Sequence, residues 1–358
     1  MNKLLQIHIG FFFLFSSFAY ANSNLISKIG LEEGISNNNI TSIAQDSDGF
    51  LWFATENGLN RFDGNYFTTY FADSETPNSI AGNSLNMVLA DKDENVIWIA
   101  TQHDGLSRFE KSTQTFVNYP INENLPNGTA YGGITALCLG NDNVLWIGTY
   151  HNGLKKLDKK TNIITHYDSN KVPALKHHQV WSVTDDLKGH VYIGHVNEGM
   201  SIISLKNNTV KHFSNDPLNL KSIPDNRINQ IFIDSKNNVW LATRSGLGLY
   251  HPESDDFTVY KKEKNNPNSI IGNDISCITE INDKLWIGTY KGGISILDLN
   301  SNYLLPEKTK FKNIYANDLP NGLSHSSVRS LCHDSFGNVW IGTNGGGINF
   351  ISHQESFF

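Results

Sequence analysis

One unit recurs seven times along this chain: a Trp-centred strand, a glycine-bearing turn and a second apolar strand. The copies are LWFATENGLNRFD from Leu51, IWIATQHDGLSRFE from Ile97, LWIGTYHNGLKKLD from Leu145, VYIGHVNEGMSIIS from Val191, VWLATRSGLGLYH from Val239, LWIGTYKGGISILD from Leu285 and VWIGTNGGGINFIS from Val339. Their aromatic centres are Trp52, Trp98, Trp146, Tyr192, Trp240, Trp286 and Trp340, at spacings of 46, 48, 46, 48, 46 and 54 residues. A period of this length with several short strands per repeat specifies a radial β array, not a helical solenoid.

Each period holds four short apolar-alternating runs separated by turn signals. In the second period these are residues 85–90, 97–101, 105–109 and 115–119, labelled a to d from the inside outward. Before each aromatic centre lies a polar hairpin: DSDGF, DKDENV, GNDNV, DLKGH, DSKNNV, INDK and DSFGN. Asp and Asn bond their own backbone two residues on, and Gly or Asn supplies a positive φ. Asp46, Asp48 and Gly49 resemble the start of a calcium loop, but the twelfth position is Asn57 where such a loop needs Glu. The turn reading therefore stands, and no metal is expected. Gly58, Gly105, Gly153, Gly199, Gly246, Gly293 and Gly347 follow the b strands. A narrow b–c bend needs a residue free of the Cβ penalty. The indoles are expected to fill the gaps between neighbouring blades.

The first unit begins with strand a near residues 39–44, and an orphan strand-like run lies upstream at 24–29. The last unit supplies a at 328–333, b at 339–343 and c at 348–352, without a full strand d. The orphan run is the natural fourth strand of the seventh blade, a closure that leaves no open sheet edge. The expected fold is all-β: a single seven-bladed β-propeller of four-stranded antiparallel blades, spanning residues 22–353. Residues 354–358 are read as a tail, where Ser356-Phe357-Phe358 sits like the start of another d strand.

Residues 1–21 read as a signal peptide: Lys3 opens it, residues 4–18 are largely apolar, and Ala19-Tyr20-Ala21 fits an A-x-A cleavage site. Retention as an anchor is the alternative. No later segment is apolar enough to span a bilayer, so the mature chain is expected in the periplasm with no membrane span. A net charge of −7 over 358 residues, with no basic patch, argues against nucleic acid binding. Cys138, Cys277 and Cys332 all fall in a strands. An odd count in apolar context reads as buried thiols, not disulfides or nucleophiles.

The pattern N-x-I-x-S-I-x-x-D-x-x-G-x-L-W-I-G-T-x-x-G-L-x-R-F-D is clearest at residues 39–63 and recurs at 226–250 and 327–351. It resembles the two-component regulator propeller repeat, and the resemblance covers almost the whole mature chain. The fourth copy matches least, with Tyr192 for Trp and His195 for Thr. The resemblance implies the periplasmic sensor part of a membrane-bound regulator, with oligosaccharides as a common signal and a histidine kinase or diguanylate cyclase as output. Many relatives carry two propellers, a β-sandwich and a membrane helix. This sequence holds one propeller and no kinase or cyclase motif, so output is expected from a partner or from a longer parent protein.

Rigid strands carrying variable loops place candidate ligand contacts on the b–c turns. These are Glu56 and Asn57; His103 and Asp104; Tyr150, His151 and Asn152; His195, Asn197 and Glu198; Arg244 and Ser245; Tyr290 and Lys291; and Asn344. The d–a loops add Tyr131, His177, His178, Arg227 and His325. Amides, carboxylates and aromatic faces suit sugar hydroxyls and ring CH surfaces. The reading is a non-catalytic sensor of an oligosaccharide or similar small polar ligand, without cofactor. Two alternatives stay open. A lyase-like secreted enzyme would draw on His103, Asp104, His151, His195 and Glu198 with a metal. A protein-interaction scaffold would need a broad apolar patch on one face.

Overall fold

The computed structural model describes residues 25–119, 133–167 and 178–353. The signal segment, the tail, Tyr131 and His177 lie outside the described residues. Within them the chain forms seven four-stranded antiparallel sheets, each running a-b-c-d in sheet order. Blade 1 consists of Ile40–Gln45, Leu51–Thr55, Gly58–Phe62 and Phe67–Tyr70. Blade 7 consists of Val328–His333, Val339–Thr343, Ile348–Ile351 and, as its outermost strand, Ser27–Ile29 from the start of the chain. That N-terminal strand pairs antiparallel with strand c through Ser27–Phe350, Lys28–Asn349 and Ile29–Ile348. The a strands of successive blades adjoin, and that of blade 7 adjoins that of blade 1, so the ring is closed.

The core lies in the seven gaps between blades. Trp52 of blade 1 packs with Val88, Ile97, Phe109 and Phe116 of blade 2. At the closure, Trp340 of blade 7 meets Phe53 of blade 1 at 5.9 Å. The indoles do more than fill space. Trp52, Trp98, Trp240 and Trp340 donate Nε1–H to Asp46, Asp91, Asp234 and Asp334 of their own a–b hairpins at 2.8–3.3 Å. Trp146 reaches instead to Asp185 of the next blade, at 2.8 Å. A buried indole N–H needs a partner, and the hairpin aspartates supply it. Asp46 also caps its own turn, accepting from the amides of Asp48 and Phe50. It is thus committed to the fold.

All seven b–c glycines adopt φ between +67° and +140°. At Gly199 a Cβ would lie 2.0 Å from the Phe213 carbonyl, so a side chain is excluded by space as well as by backbone conformation. In six blades the last residue of strand b is a buried threonine whose hydroxyl donates to the carbonyl of that glycine at 2.7–3.0 Å. Among the described residues no helix is long and apolar enough to cross a membrane.

Candidate functional site

Every strand a slips register once near its start, between Ile40/Ser42, Leu85/Met87, Ile134/Ala136, Val180/Ser182, Ile228/Gln230, Ile275/Cys277 and Val328/Ser330. Such a slip leaves one residue outside the ladder and re-aims its side chain. The skipped residues are Thr41, Asn86, Thr135, Trp181, Asn229, Ser276 and Arg329, and all seven line one cavity of about 860 Å³ in the central channel. Deeper in the channel, Ile43, Val88, Leu137, Val183, Ile231, Ile278 and Leu331 form an apolar wall.

A second ring stands above the first. The residue after strand b in each blade donates its amide to the carbonyl of the residue just before strand a. These bonds link Glu56 to Asn39, Gln102 to Ser84, Tyr150 to Gly133, Val196 to Gln179, Arg244 to Arg227, Tyr290 to Asp274 and Asn344 to Ser327, at 2.8–3.3 Å. The bond folds each b–c turn over the start of its own strand a. The turns therefore surround the channel mouth, and their side chains are set by backbone bonds.

The candidates divide on this geometry. Glu56, His103, Tyr150, His151 and Tyr290 line the cavity. Asn57, Asp104, Glu198, Arg244, Lys291 and Asn344 are exposed on the same turns, outside the cavity lining. His195 is a correction. It is fully buried, at 0% exposure, because it occupies the strand-terminal threonine position and not the turn. Its Nε2 lies 2.9 Å from Ser201 Oγ, which in turn meets His212 Nδ1 at 3.0 Å. The turn residue of blade 4 is Val196, itself buried. Of the d–a candidates, His325 turns its Nδ1 back to the Ser327 amide at 3.1 Å. Arg227 lays its guanidinium 5.6 Å from the centre of the Trp181 ring.

Sequence reasoning missed Gln102 and the bulge residues Thr41, Asn86, Thr135, Trp181, Asn229, Ser276 and Arg329. The signal was present as the variable fourth position of N-x-I-x-S-I, one per repeat. Strict alternation assigns that position to a strand face, so only the bulge reveals where it points.

Aromatic groups gather on the blade 3–4 side of the mouth. Tyr150 meets His151 edge-on at 4.7 Å and Trp181 at 6.2 Å. Charges gather on the blade 5–7 side. Burial raises the Asp274 carboxyl above the usual range although Arg227, Arg244 and Lys291 pull it down. Its Oδ1 is buried without a hydrogen-bond partner among the described residues. Burial likewise pushes the Tyr290 hydroxyl up. Cys277 opens onto the channel, but burial pushes its thiol up to about 12, which keeps it protonated and poorly nucleophilic at neutral pH. Among the described residues no group of three or more His, Cys, Asp and Glu side chains is placed to hold a metal ion.

Fold and channel together define a closed seven-bladed β-propeller with a polar, aromatic-rimmed mouth. The chain belongs to the two component regulator propeller family, whose model matches residues 34–57, 222–245 and 322–345. These overlap the three repeats that read most clearly in the sequence. The chain is similar to a solved structure from B. thetaiotaomicron, described as the extracellular domain of a hybrid two component system. Identity is 41%, TM-score 0.79, and the match covers 92% of this chain and 42% of that one. A second, the extracellular domain of a one component system from the same organism, shares the fold at 22% identity and TM-score 0.70, covering 94% of this chain and 42% of that one. A histidine kinase, P4, of Formosa agariphila is 39% identical over 72 residues, which are 20% of this chain and 5% of the kinase. The chain thus spans less than half the length of each of these three proteins.

Proposed function

We propose that this chain is the extracytoplasmic sensing module of a two-component type regulator and binds an oligosaccharide or similarly polar small ligand at the channel mouth. One observation carries this reading: a ring of side chains from all seven blades, and turn side chains from blades 1, 2, 3 and 6, converge on a cavity of about 860 Å³. That volume falls within the roughly 300–1,000 Å³ of small-molecule sites. Tyr150 and Trp181 offer ring faces, while Gln102 and Glu56 offer amide and carboxylate groups. The likeness to extracellular domains of regulators supports a periplasmic location and an output held by a histidine kinase. Of the residues that an acid–base set would draw on, His195 is buried at the end of strand b in blade 4.

The test is a thermal-shift screen of the purified protein against oligosaccharides, since a ligand that binds only the native state raises the melting temperature. A selective shift, with no product formed, supports sensing. Turnover of the sugar would transfer the reading to an enzyme. No shift for a cooperatively melting protein would favour a protein partner. The specific feature behind that outcome is the loop before blade 5, where Leu218 and Leu220 are 95% and 89% exposed.

A further inference from the structure

The bulge residues hold the ring together in most blades. Asn86 Nδ2 donates to the Ile134 carbonyl of the next blade at 2.8 Å, and Thr135 Oγ1 to that of Val180 at 2.7 Å. Asn229 Nδ2 donates to Ile275 and Ser276 Oγ to Val328, both at 2.6 Å. Short polar side chains suit this bond because the next strand a lies one residue-length away. Blades 1, 4 and 7 depart from the rule: Thr41 is of the short polar type but its Oγ1 has no hydrogen-bond partner among the described residues, and Trp181 and Arg329, which are not of that type, make no such bond. An indole or a guanidinium at this position supplies none of the backbone bonds that elsewhere pin blade to blade.

Blades 4 and 7 stand three steps apart in a ring of seven, so these two residues face one another across the channel. Both line its cavity. Trp181 is half-buried beside Tyr150. Arg329 is 29% exposed, and its nearest carboxylate, Glu56, lies 3.9 Å away, beyond direct hydrogen bonding. Glu56 is already bonded by Asn39 Nδ2 at 2.6 Å. On the same arc Arg227, Arg244, Lys291 and Arg329 outnumber Asp225, Asp274 and Glu56. Asp225 is turned to the Ser245 hydroxyl and the Arg227 amide.

We infer that Trp181 and Arg329 are the specificity-determining pair of this mouth, and that its ligand is an acidic oligosaccharide. A sugar ring stacks on Trp181 while a carboxylate or sulfate takes the fork of Arg329. The inference rests on the oligosaccharide reading above. An indole face matches the CH surface of a pyranose, and a planar guanidinium binds carboxylate and sulfate alike through paired N–H donors.

The test is isothermal titration of the full chain with three trisaccharides: a galacturonan, a sulfated galactan and the neutral galactan. Support is binding of one acidic sugar at least about tenfold tighter than the neutral one, weakened by salt. The acidic sugar that binds then identifies the anion. Arg329→Gln removes the preference, weakening the acidic sugar far more than the neutral one. Arg329→Lys, which keeps the charge without the fork, restores part of it. Trp181→Ala weakens both sugars and Trp181→Tyr recovers them, with melting temperatures showing that each variant folds. Equal binding of acidic and neutral sugars, or an Arg329→Gln variant that still discriminates, overturns the inference while the mouth remains a sugar site. Failure of all three, with a shift from some other neutral sugar in the wider screen, does the same. Failure of every sugar overturns both readings.

Discussion

Asp234 accepts four hydrogen bonds in the a–b hairpin of blade 5. Its Oδ1 takes the amides of Lys236 and Asn238, and its Oδ2 takes Asn238 Nδ2 and Trp240 Nε1, all at 2.8–2.9 Å. Asp234→Ala strands a buried indole N–H and frees the turn, so urea unfolding should show a loss of about 3 kcal/mol. The sequence declared the turn role of this aspartate, two residues before its amide donor. It hid the indole bond, which joins two residues whose proximity depends on the hairpin being closed. The cysteines make a second case. Burial raises the thiols of Cys138 to about 11 and of Cys277 and Cys332 to about 12, against 9.0 unperturbed. Iodoacetamide at pH 8 should therefore label the native protein slowly, Cys277 slowest, and all three thiols rapidly in urea. A folded pKa above the unfolded one stabilises the fold below the unfolded value and ceases to do so as pH rises through the folded one. The melting temperature should accordingly fall between about pH 9 and pH 12.

Neighbouring blades are also tied by buried ion pairs at the a–b hairpins. Lys159, just past strand c of blade 3, reaches Asp91 of blade 2 at 2.6 Å, with side-chain exposures of 6% and 1%. Lys111 makes the same step back to Asp46 and Asp48 of blade 1 at 3.2 and 2.7 Å. Removing one partner of a buried pair leaves an uncompensated charge. Lys159→Ala should cost about 3 kcal/mol. Asp91→Asn in the Lys159→Ala background should recover part of that loss in a double-mutant cycle, because the amide oxygen still accepts from Trp98 Nε1 and leaves no uncompensated charge. Strands and glycine turns were legible at this scale because each blade repeats the same apolar alternation. The strand-a bulges were not, because a bulge is a relation between two strands. The same difficulty affected His195: strand b of blade 4 runs one residue further than a turn reading allows, and that residue is buried.

The ring closes through three residues of the N-terminal strand and the side chain before them. Ile26 is 5% exposed and sits in the core with Trp286, Val339 and Ile351 of blades 6 and 7. Its amide also donates to the Pro320 carbonyl at 2.8 Å. Ile26→Asp places an unpaired charge in that core and loosens the pairing with strand c of blade 7. Hydrogen exchange should then show protection lost first at Ile348–Ile351 and spreading to both flanking blades, because a ring with a free edge has no terminal caps. Retention of native protection in blade 7 would show that closure does not depend on this strand.

The sevenfold aromatic period and the orphan apolar run at the start of the chain determined by themselves the number of blades, their order and the manner of closure. Those properties follow from local alternation and turn chemistry, written out afresh in each repeat. The tertiary structure alone decided which side chains meet at the channel. Each blade contributes one bulge residue, and blades 1, 2, 3 and 6 a turn residue as well, from positions 45 or more residues apart in successive blades. Their directions depend on a register slip and a backbone bond that form only when strands a and b are paired. Trp181 and Arg329 are unremarkable in the sequence, and they face each other only because the ring closes.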